Sequence, residues 1–266
     1  MHPLNLIRFV PAEGSDLVTE GLAHFIVGCL ITIGACAAWA QGTPPPAPEV
    51  LRVPGHHWSI TLPEGWSVAP AEMTEAVNAE VISRMPTQNV RYVAALVPDA
   101  KDGPYVMIQT LPLPPEGADY EQIERSFDAS TMDHTRESVK RSMGDMLTDF
   151  TMDRPVLDRA TNRFIMSNAI TGSDGKILRN TSMGMLGEEA IVMIHFYASE
   201  DIFAARAPEF VAITEGFRHD PGHEFVSKTA GGMDWAKVLR QGAIGGLIGA
   251  LAGGAMYLYR KSKPAA

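Results

Sequence analysis

The chain has 266 residues, of which 45% are hydrophobic and 20% charged, and its formal net charge is -9 at pH 7. These fractions are typical of a globular protein and exclude a wholly disordered chain, and an acidic chain lacks the clustered cations that nucleic-acid binding requires. The two cysteines, Cys29 and Cys36, lie in one apolar segment, so the rest of the chain has no disulfide scaffold, cysteine-based zinc site or cysteine nucleophile.

The apolar segment near the N-terminus covers residues 25–40 and precedes the proline-rich segment 41–49. This order is typical of a secretory signal, and the tripeptide AWA at 38–40 has the small-x-small form of a cleavage site. We therefore predict that residues 1–40 are a signal peptide or an N-terminal anchor. Lipidation at Cys36, in a segment that resembles a lipoprotein processing box, is a third interpretation. A buried core helix is disfavoured, because a run without a polar face needs burial on all sides.

The predicted folded domain covers 50–219 and begins with a strand, a helix and two further strands. Apolar and polar residues alternate from Trp58 to Leu62, which predicts a half-buried strand. Four apolar residues at four-residue spacing between 73 and 85 predict a helix with one buried face. The β-rich segments 91–97 and 105–111 flank a turn that contains proline and glycine, and they predict a pair of strands.

The second half of the domain is predicted to contain two helices, three strands and a last helix. The helices cover about 120–127 and 130–146, with Ser130 as N-cap. The strands are expected at 163–171, 176–186 and 189–198, and the last helix at about 201–216, with Pro208 breaking it or starting a second segment. We expect Phe217 on the apolar face of that helix. Consecutive strands predict an α+β domain, an antiparallel sheet with helices packed on it.

Two motifs at the ends of this domain carry a resemblance to a known family. The segment "SITLPEGW" at 59–66 and the segment "PEFVAITEGFR" at 208–218 resemble the ends of the PsbP/Mog1-like fold. The resemblance covers about 53–218. It implies a small binding or assembly module without common catalytic residues, so it assigns no site residue in this chain.

The strongest candidate for a metal ligand pair is His219 with His223, because residues four apart share one face of a helix. Pro221 and Gly222 between them disfavour a helix, so a polar linker is the preferred interpretation. His56 and His57 also adjoin, but neighbouring strand residues point to opposite faces of a sheet.

No catalytic, cofactor-binding or metal-binding residue is predicted, and no cofactor is expected. His195 lies in the most apolar strand and is expected to be a hydrogen-bonded core or edge residue and not a catalyst. The serine nucleophile motifs G-x-S-x-G and S-x-x-K are absent, as are glycine-rich phosphate loops. A group of acids lacks the EF-hand pattern and is interpreted as a solvated face: Asp145, Asp149, Asp153 and Asp158.

The C-terminal segment 242–259 contains no charged residue and is followed by Arg260, Lys261 and Lys263. As a helix at ~1.5 Å per residue it would span about 27 Å, close to the ~30 Å hydrocarbon core of a bilayer. We predict a linker at 220–237, a transmembrane helix at 238–259 and a cationic tail at 260–266. The positive-inside rule places that tail in the cytoplasm and the domain outside it, periplasmic or extracellular.

The glycines of this segment recur every fourth residue, at Gly245, Gly249 and Gly253. Such a row resembles a glycine-zipper membrane segment, since small residues let two helix backbones approach closely in lipid. We therefore predict that these three residues pack a membrane helix and support self-association.

The sequence as a whole predicts a membrane-tethered, extracytoplasmic, non-enzymatic binding or assembly module. Its expected partners are membrane lipid, a second copy and an unknown protein, with no nucleic acid. One alternative is a metal-dependent or hydrolytic enzyme with a site assembled from scattered residues; another is a structural membrane oligomer. A pocket lined by histidine and two carboxylates would favour the enzyme, and a smooth surface with one apolar patch would favour the module.

Overall fold

The computed structural model describes residues 47–84, 90–99, 103–113, 117–143, 147–172, 175–228, 235, 237–238 and 240–249. Gly253 and the predicted signal peptide, cleavage site and cationic tail lie outside these residues. The elements are β1 Val50–Arg52, β2 Trp58–Thr61, β3 Trp66–Val68, α1 Ala71–Arg84, β4 Tyr92–Pro98, β5 Tyr105–Pro112, α2 Tyr120–Arg125, α3 Ala129–Met143, β6 Leu147–Met152, β7 Val156–Asp158, β8 Arg163–Gly172, β9 Ile177–Leu186, β10 Ala190–Ser199, α4 Glu200–Glu215 and β11 Phe217–His219. A further helix, α5, is described at residues 240–249.

The strands form two antiparallel sheets. The larger has eight strands in the order β3-β4-β5-β10-β9-β8-β6, with β7 also paired to β8, and the smaller has the order β1-β2-β11. The hairpin between β8 and β9 turns where the sequence predicted it, and Gly175 adopts a φ of 74° that favours glycine. The predicted mixture of helices with antiparallel sheet is confirmed.

Strand β10 shows why the larger sheet is covered on both faces. Met193 and Tyr197 belong to hydrophobic clusters that helices α1, α2, α3 and α5 share, whereas Ile194 and Phe196 belong to the cluster of α4 and the smaller sheet. Because successive strand residues point to opposite faces, both sets are buried. The uninterrupted apolar run in β10 therefore reflects burial of this strand on both faces of the sheet.

The region around α4 differs from the sequence prediction in two respects. Pro208 lies inside one continuous helix and does not break it; the packing of Phe210 and Ile213 on the sheet holds the helix across the missing backbone donor. Phe217 is buried, at 4% exposure, but it belongs to β11 and pairs with Ile60 of β2. The helix ends at Glu215, because the chain turns there to extend the smaller sheet.

Two smaller predictions are also corrected. The cap of α3 is Asp128, whose carboxylate accepts a hydrogen bond from the backbone N of Thr131 at 2.7 Å; Ser130 lies inside the helix. Asp149 lies in a strand, β6, that the sequence did not predict. Asp149 and Asp153 are exposed, as expected for a solvated face.

The chain beyond β11 packs against the domain. Phe225, Trp235 and Val238 are buried in the cluster that includes α2, and α5 buries Ile244 and Leu247 against the larger sheet. Residues 220–237 were predicted as a linker and 238–259 as a transmembrane helix. The described part of these segments lies against the domain here, and the division itself stays a prediction. Within the part of the chain that the structure describes, no helix is both long and apolar enough to cross a membrane.

Candidate functional site

A pocket of about 830 Å³ lies between the smaller sheet, α1 and one edge of the larger sheet. Its walls come from the loop that joins β1 to β2, the beginning of β4, the turn between β9 and β10, and the loop after β11. Four histidines line it, together with three glutamates and two arginines: His56, His57, His219, His223, Glu75, Glu188, Glu189, Arg52 and Arg91. We call this the histidine pocket.

The smaller sheet brings two of these histidines together. β11 pairs with β2 so that His219 lies opposite Trp58, and the backbone N of Asp220 donates to the carbonyl of His57 at 3.0 Å. A tight turn follows, with Gly222 at a φ of 88°, and returns the chain toward β2. The rings of His57 and His223 consequently stack, with centroids 3.7 Å apart and planes 2° from parallel.

The turn between β9 and β10 closes the pocket from the other side. Its Glu188 backbone N donates to the carbonyl of His223 at 2.9 Å, and this bond fixes the turn beside the loop after β11. A Cβ at Gly187 would lie 2.6 Å from Cε1 of His219, so only glycine permits this approach. The turn thereby presents two adjacent carboxylates, Glu188 and Glu189, to the histidines.

The wall on the α1 side is shaped by an irregularity in β4. The register with β5 shifts between Tyr92 and Ala94, which leaves Val93 as the extra residue of a bulge. Asn78 of α1 closes the bulged backbone: its side chain accepts from Tyr92 N at 2.8 Å and donates to Tyr92 O at 2.9 Å. Bulges of this kind are over-represented beside functional sites.

Four of the residues that line the histidine pocket carry a buried polar atom without a hydrogen-bond partner in the protein. These atoms are Trp58 Nε1, Thr110 Oγ1, His219 Nε2 and His223 Nδ1. Buried polar groups are almost always hydrogen-bonded, and an unsatisfied one costs about 1–3 kcal/mol. Of the eight such atoms among the described residues, four belong to residues that line this one pocket.

Burial keeps two of the pocket histidines neutral. The pKa of His56 is lowered by burial and, to a smaller extent, by neighbouring His57. The pKa of His219 is also lowered, and burial is again the largest cause, outweighing nearby carbonyl and carboxylate groups that favour the charged form. Near pH 7 these two rings therefore act as neutral donors and acceptors, not as cations.

A second polar group lies on the opposite side of β5 and β10, beneath α5. Oγ of Ser182 and Nδ1 of His195 are 2.7 Å apart, and Nε2 of His195 is 3.4 Å from Oε1 of Gln109. Ser182 and His195 have zero exposure, so this hydroxyl–imidazole pair has no access for a substrate in this structure. Burial lowers the pKa of His195 to about 3. The structure places it in the core, one of the two positions that the sequence allowed.

The glycines predicted to pack a membrane helix lie on this buried group. The hydroxyls of Tyr92 and Tyr197 donate to the carbonyl of Gly245, and that of Tyr105 donates to the carbonyl of Gly249 at 2.9 Å. A Cβ at Gly249 would overlap the Tyr197 hydroxyl, and one at Gly245 would overlap Oε1 of Gln109. Both glycines thus face the sheet here, and Gly253 lies outside the described residues.

Comparison with known proteins finds similarity among solved structures. No family model and no curated protein matches the chain. Among solved structures it is similar to cyanobacterial PsbP (CyanoP) from Synechocystis sp. PCC 6803, at 10% identity and a TM-score of 0.42, over 70% of this chain and 98% of that one. It is also similar to LpqN, involved in cell envelope biogenesis of Mycobacterium tuberculosis, at 12% identity and a TM-score of 0.37, over 68% and 88%. A PsbP is thus among the structural neighbours, while similarity at this level carries no argument about function.

Two pairs of histidines lie close together in the sequence, His219 with His223 and His56 with His57. The structure brings together one member of each pair, His57 and His223, and adds Glu189 from a distant turn. The only local signal was the turn sequence that follows His219, because its proline and glycine reverse the chain. No local pattern indicated Glu189, which lies more than a hundred residues from His57 in the sequence.

Proposed function

We propose that this chain is an extracytoplasmic binding module that holds a small polar ligand in the histidine pocket. The observation that carries the proposal is the set of four unpaired buried polar atoms among the residues that line this pocket. A ligand with both donors and acceptors would complete them and remove the cost of leaving them unpaired. The volume of about 830 Å³ lies within the range of ligand pockets.

The unpaired hydroxyl of Thr110 allows a direct test of the ligand pocket. Thr110→Val removes an unpaired polar atom, so we expect the ligand-free protein to keep or gain stability and to lose affinity for its ligand. Thr135→Val is the matched control, because the Thr135 hydroxyl donates to the carbonyl of Thr131 at 2.8 Å and its loss should destabilise. Thermal unfolding of each variant would be measured alone and with amino acids, sugars and sugar phosphates. Equal destabilisation by both substitutions, with unchanged ligand binding, would refute the proposal.

We further propose that segment 238–259 tethers this module to a membrane. Its support is the uncharged run 242–259 followed by three cations. The described half of the segment lies on the larger sheet, and the same backbone cannot be in lipid at the same time. The tethered form therefore requires α5 to leave Tyr92 and Tyr105, and self-association through Gly245 and Gly249 belongs to that form. Cysteine-scanning accessibility of residues 240–249 in native vesicles would separate the two placements.

A second candidate function is a metal-dependent or hydrolytic enzyme, and one observation favours it. The histidine pocket combines imidazoles with the adjacent carboxylates Glu188 and Glu189, as the enzyme alternative required. Among the residues that line it there is no serine or cysteine, so hydrolysis there would use an activated water. Turnover of nitrophenyl esters and phosphates that is lost in Glu189→Gln would establish the enzyme; absence of turnover with retained ligand binding would leave the binding module.

A further inference from the structure

We propose that His57, Glu189 and His223 form a binding site for one divalent transition-metal ion of the zinc class at the rim of the histidine pocket. One ligand atom from each residue can be chosen so that all three lie within 4.8 Å of one another. The residues come from three separate segments: the loop before β2, the turn between β9 and β10, and the loop after β11. No short sequence motif places them together.

The donor set fits this class of metal. Two imidazole nitrogens with one carboxylate oxygen suit zinc and its first-row neighbours, and three protein ligands leave a further position for water or a ligand. Calcium and magnesium prefer sets made of oxygen alone. The side chain of Glu188 adds negative charge beside the site, since its Oε2 is 4.0 Å from Nδ1 of His223.

The backbone holds the three segments in place before any ion binds. Asp220 N donates to the carbonyl of His57 at 3.0 Å, and Glu188 N donates to the carbonyl of His223 at 2.9 Å. The loop after β11 is therefore attached to both of the other segments. An ion would have to order only side chains, which lowers the entropic cost of binding.

The side chains must move a short distance to bind an ion. At zinc bond lengths of about 2.0–2.2 Å, tetrahedral ligand atoms lie about 3.3 Å apart. The imidazole lone pairs lie in the ring planes, and the rings of His57 and His223 are parallel, so one ion cannot lie in both planes. His57 and Glu189 are exposed, so a change of rotamer in either need not displace the core. Metal binding should therefore break the stacking of the two rings.

An independent feature of His223 also indicates a ligand. Its Nδ1 is buried and has no hydrogen-bond partner, although a ring nitrogen in such a place normally has one. The stacked partner His57 offers its face, not a hydrogen-bonding atom. The nearest carboxylate oxygen, Oε2 of Glu188, is 4.0 Å from this nitrogen and beyond hydrogen-bond distance, so Nδ1 of His223 has no hydrogen bond in the protein.

The metal-site proposal and the ligand-pocket proposal can be refuted independently of each other. Zinc binding requires three residues at the rim and no organic ligand. The pocket proposal shares His223 with the metal site, but it also depends on Thr110, Trp58 and His219, which are not in the metal cluster. A chain that binds zinc but no polar molecule would support the metal site alone.

The test is a zinc titration of the purified full chain by calorimetry, with Co²⁺ as a spectroscopic probe. We expect one ion per chain, at least a tenfold loss of affinity in each of His57→Ala and His223→Ala, and a smaller loss in Glu189→Gln. His56→Ala is the matched control, because it adjoins His57 in the sequence and lines the same pocket without belonging to the cluster. In the NMR spectrum, zinc should shift the ring protons of His57 and His223 together.

Retained near-UV circular dichroism would show that each variant is folded. The proposal is overturned if the parent binds no zinc above the level of the His57→Ala, His223→Ala double variant. It is also overturned if His56→Ala weakens binding as much as His57→Ala, because the ion would then be held loosely by whichever histidines are exposed.

Discussion

At the residue scale, the burial of His195 makes the stability of the folded protein depend on pH. Burial lowers its pKa to about 3, while the unfolded ring keeps a pKa near 6.5. Between these values the unfolded chain binds a proton that the native chain does not, so stability falls as the pH falls from about 6.5 toward 3. The neighbouring hydroxyls of Tyr92 and Tyr197 stay neutral in this range, because burial raises the pKa of both.

We expect this one residue to lower the free energy of unfolding by about 2 kcal/mol between pH 7 and pH 5. Urea unfolding of the parent and of His195→Gln at both pH values measures it, because the difference between the two proteins isolates His195 from the other histidines. His134→Gln, an exposed residue of α3, is the control. Parallel pH dependence in parent and His195→Gln would contradict the burial of a neutral ring.

The glycines of α5 make a second prediction at this scale. Gly249→Ala places a methyl group against the Tyr197 hydroxyl and should cost about 1–3 kcal/mol. Gly242→Ala meets only the flexible end of Met193, with Cε 3.2 Å from the new Cβ. It should be neutral or gain up to about 1 kcal/mol from higher helix propensity.

Thermal unfolding of both variants measures the difference. A membrane two-hybrid assay on the same pair measures self-association. Equal stabilities with lost association in Gly249→Ala would show that the glycine serves helix packing in lipid and not docking on the sheet.

At the element scale, the short strand β11 completes the smaller sheet by pairing with β2. The sequence placed Phe217 on the apolar face of the last helix, but the structure buries Phe217 in a strand beside Trp58, with ring centroids 6.0 Å apart. Val211 of α4 is 37% exposed. The strand also carries His219, so its pairing with β2 positions the histidine pocket.

Phe217→Ala should therefore destabilise the protein by about 3–5 kcal/mol, whereas Val211→Ala should change stability by under about 0.5 kcal/mol. Denaturant unfolding of both variants gives the comparison. In Phe217→Ala we also expect exchange of the His219 amide to accelerate, because the ladder with β2 loses its anchor. Comparable losses in both variants would contradict the strand assignment.

At the scale of the whole molecule, the proposed topology has the domain outside the cytoplasm and the C-terminus inside. The apolar segment 25–40 and the cations after 259 support it. After Ala266, a reporter that works only in the cytoplasm should be active and one that works only after export should be inactive. At Pro45 the opposite result is expected. The reverse pattern would refute the topology. The same fusions in Gly249→Ala would show whether docking of α5 competes with insertion.

Features that depend on local pattern could be predicted from the sequence alone. Alternation and four-residue spacing predicted β2, α1, β4, β5 and the three strands β8 to β10, because hydrophobic periodicity follows from the geometry of each element. The turn at 172–175 was indicated by its Asp-Gly pair, which is typical of hairpins. Short elements escaped prediction: β1, β3, β7 and β11 have three residues each, too few for a period to show.

Contacts between residues that are distant in the sequence could be known only from the tertiary structure. His57, Glu189 and His223 are brought together by the pairing of β11 with β2 and by a backbone bond from the β9–β10 turn, and such pairings leave no trace in local composition. The same holds for α5. Its glycines allow close packing against any surface. Because glycine has no side chain, either a second helix in a membrane or a row of tyrosines on a sheet can approach the backbone. The contacts of Gly245 and Gly249 come from strands far away in the sequence, and so their placement on the sheet required the fold.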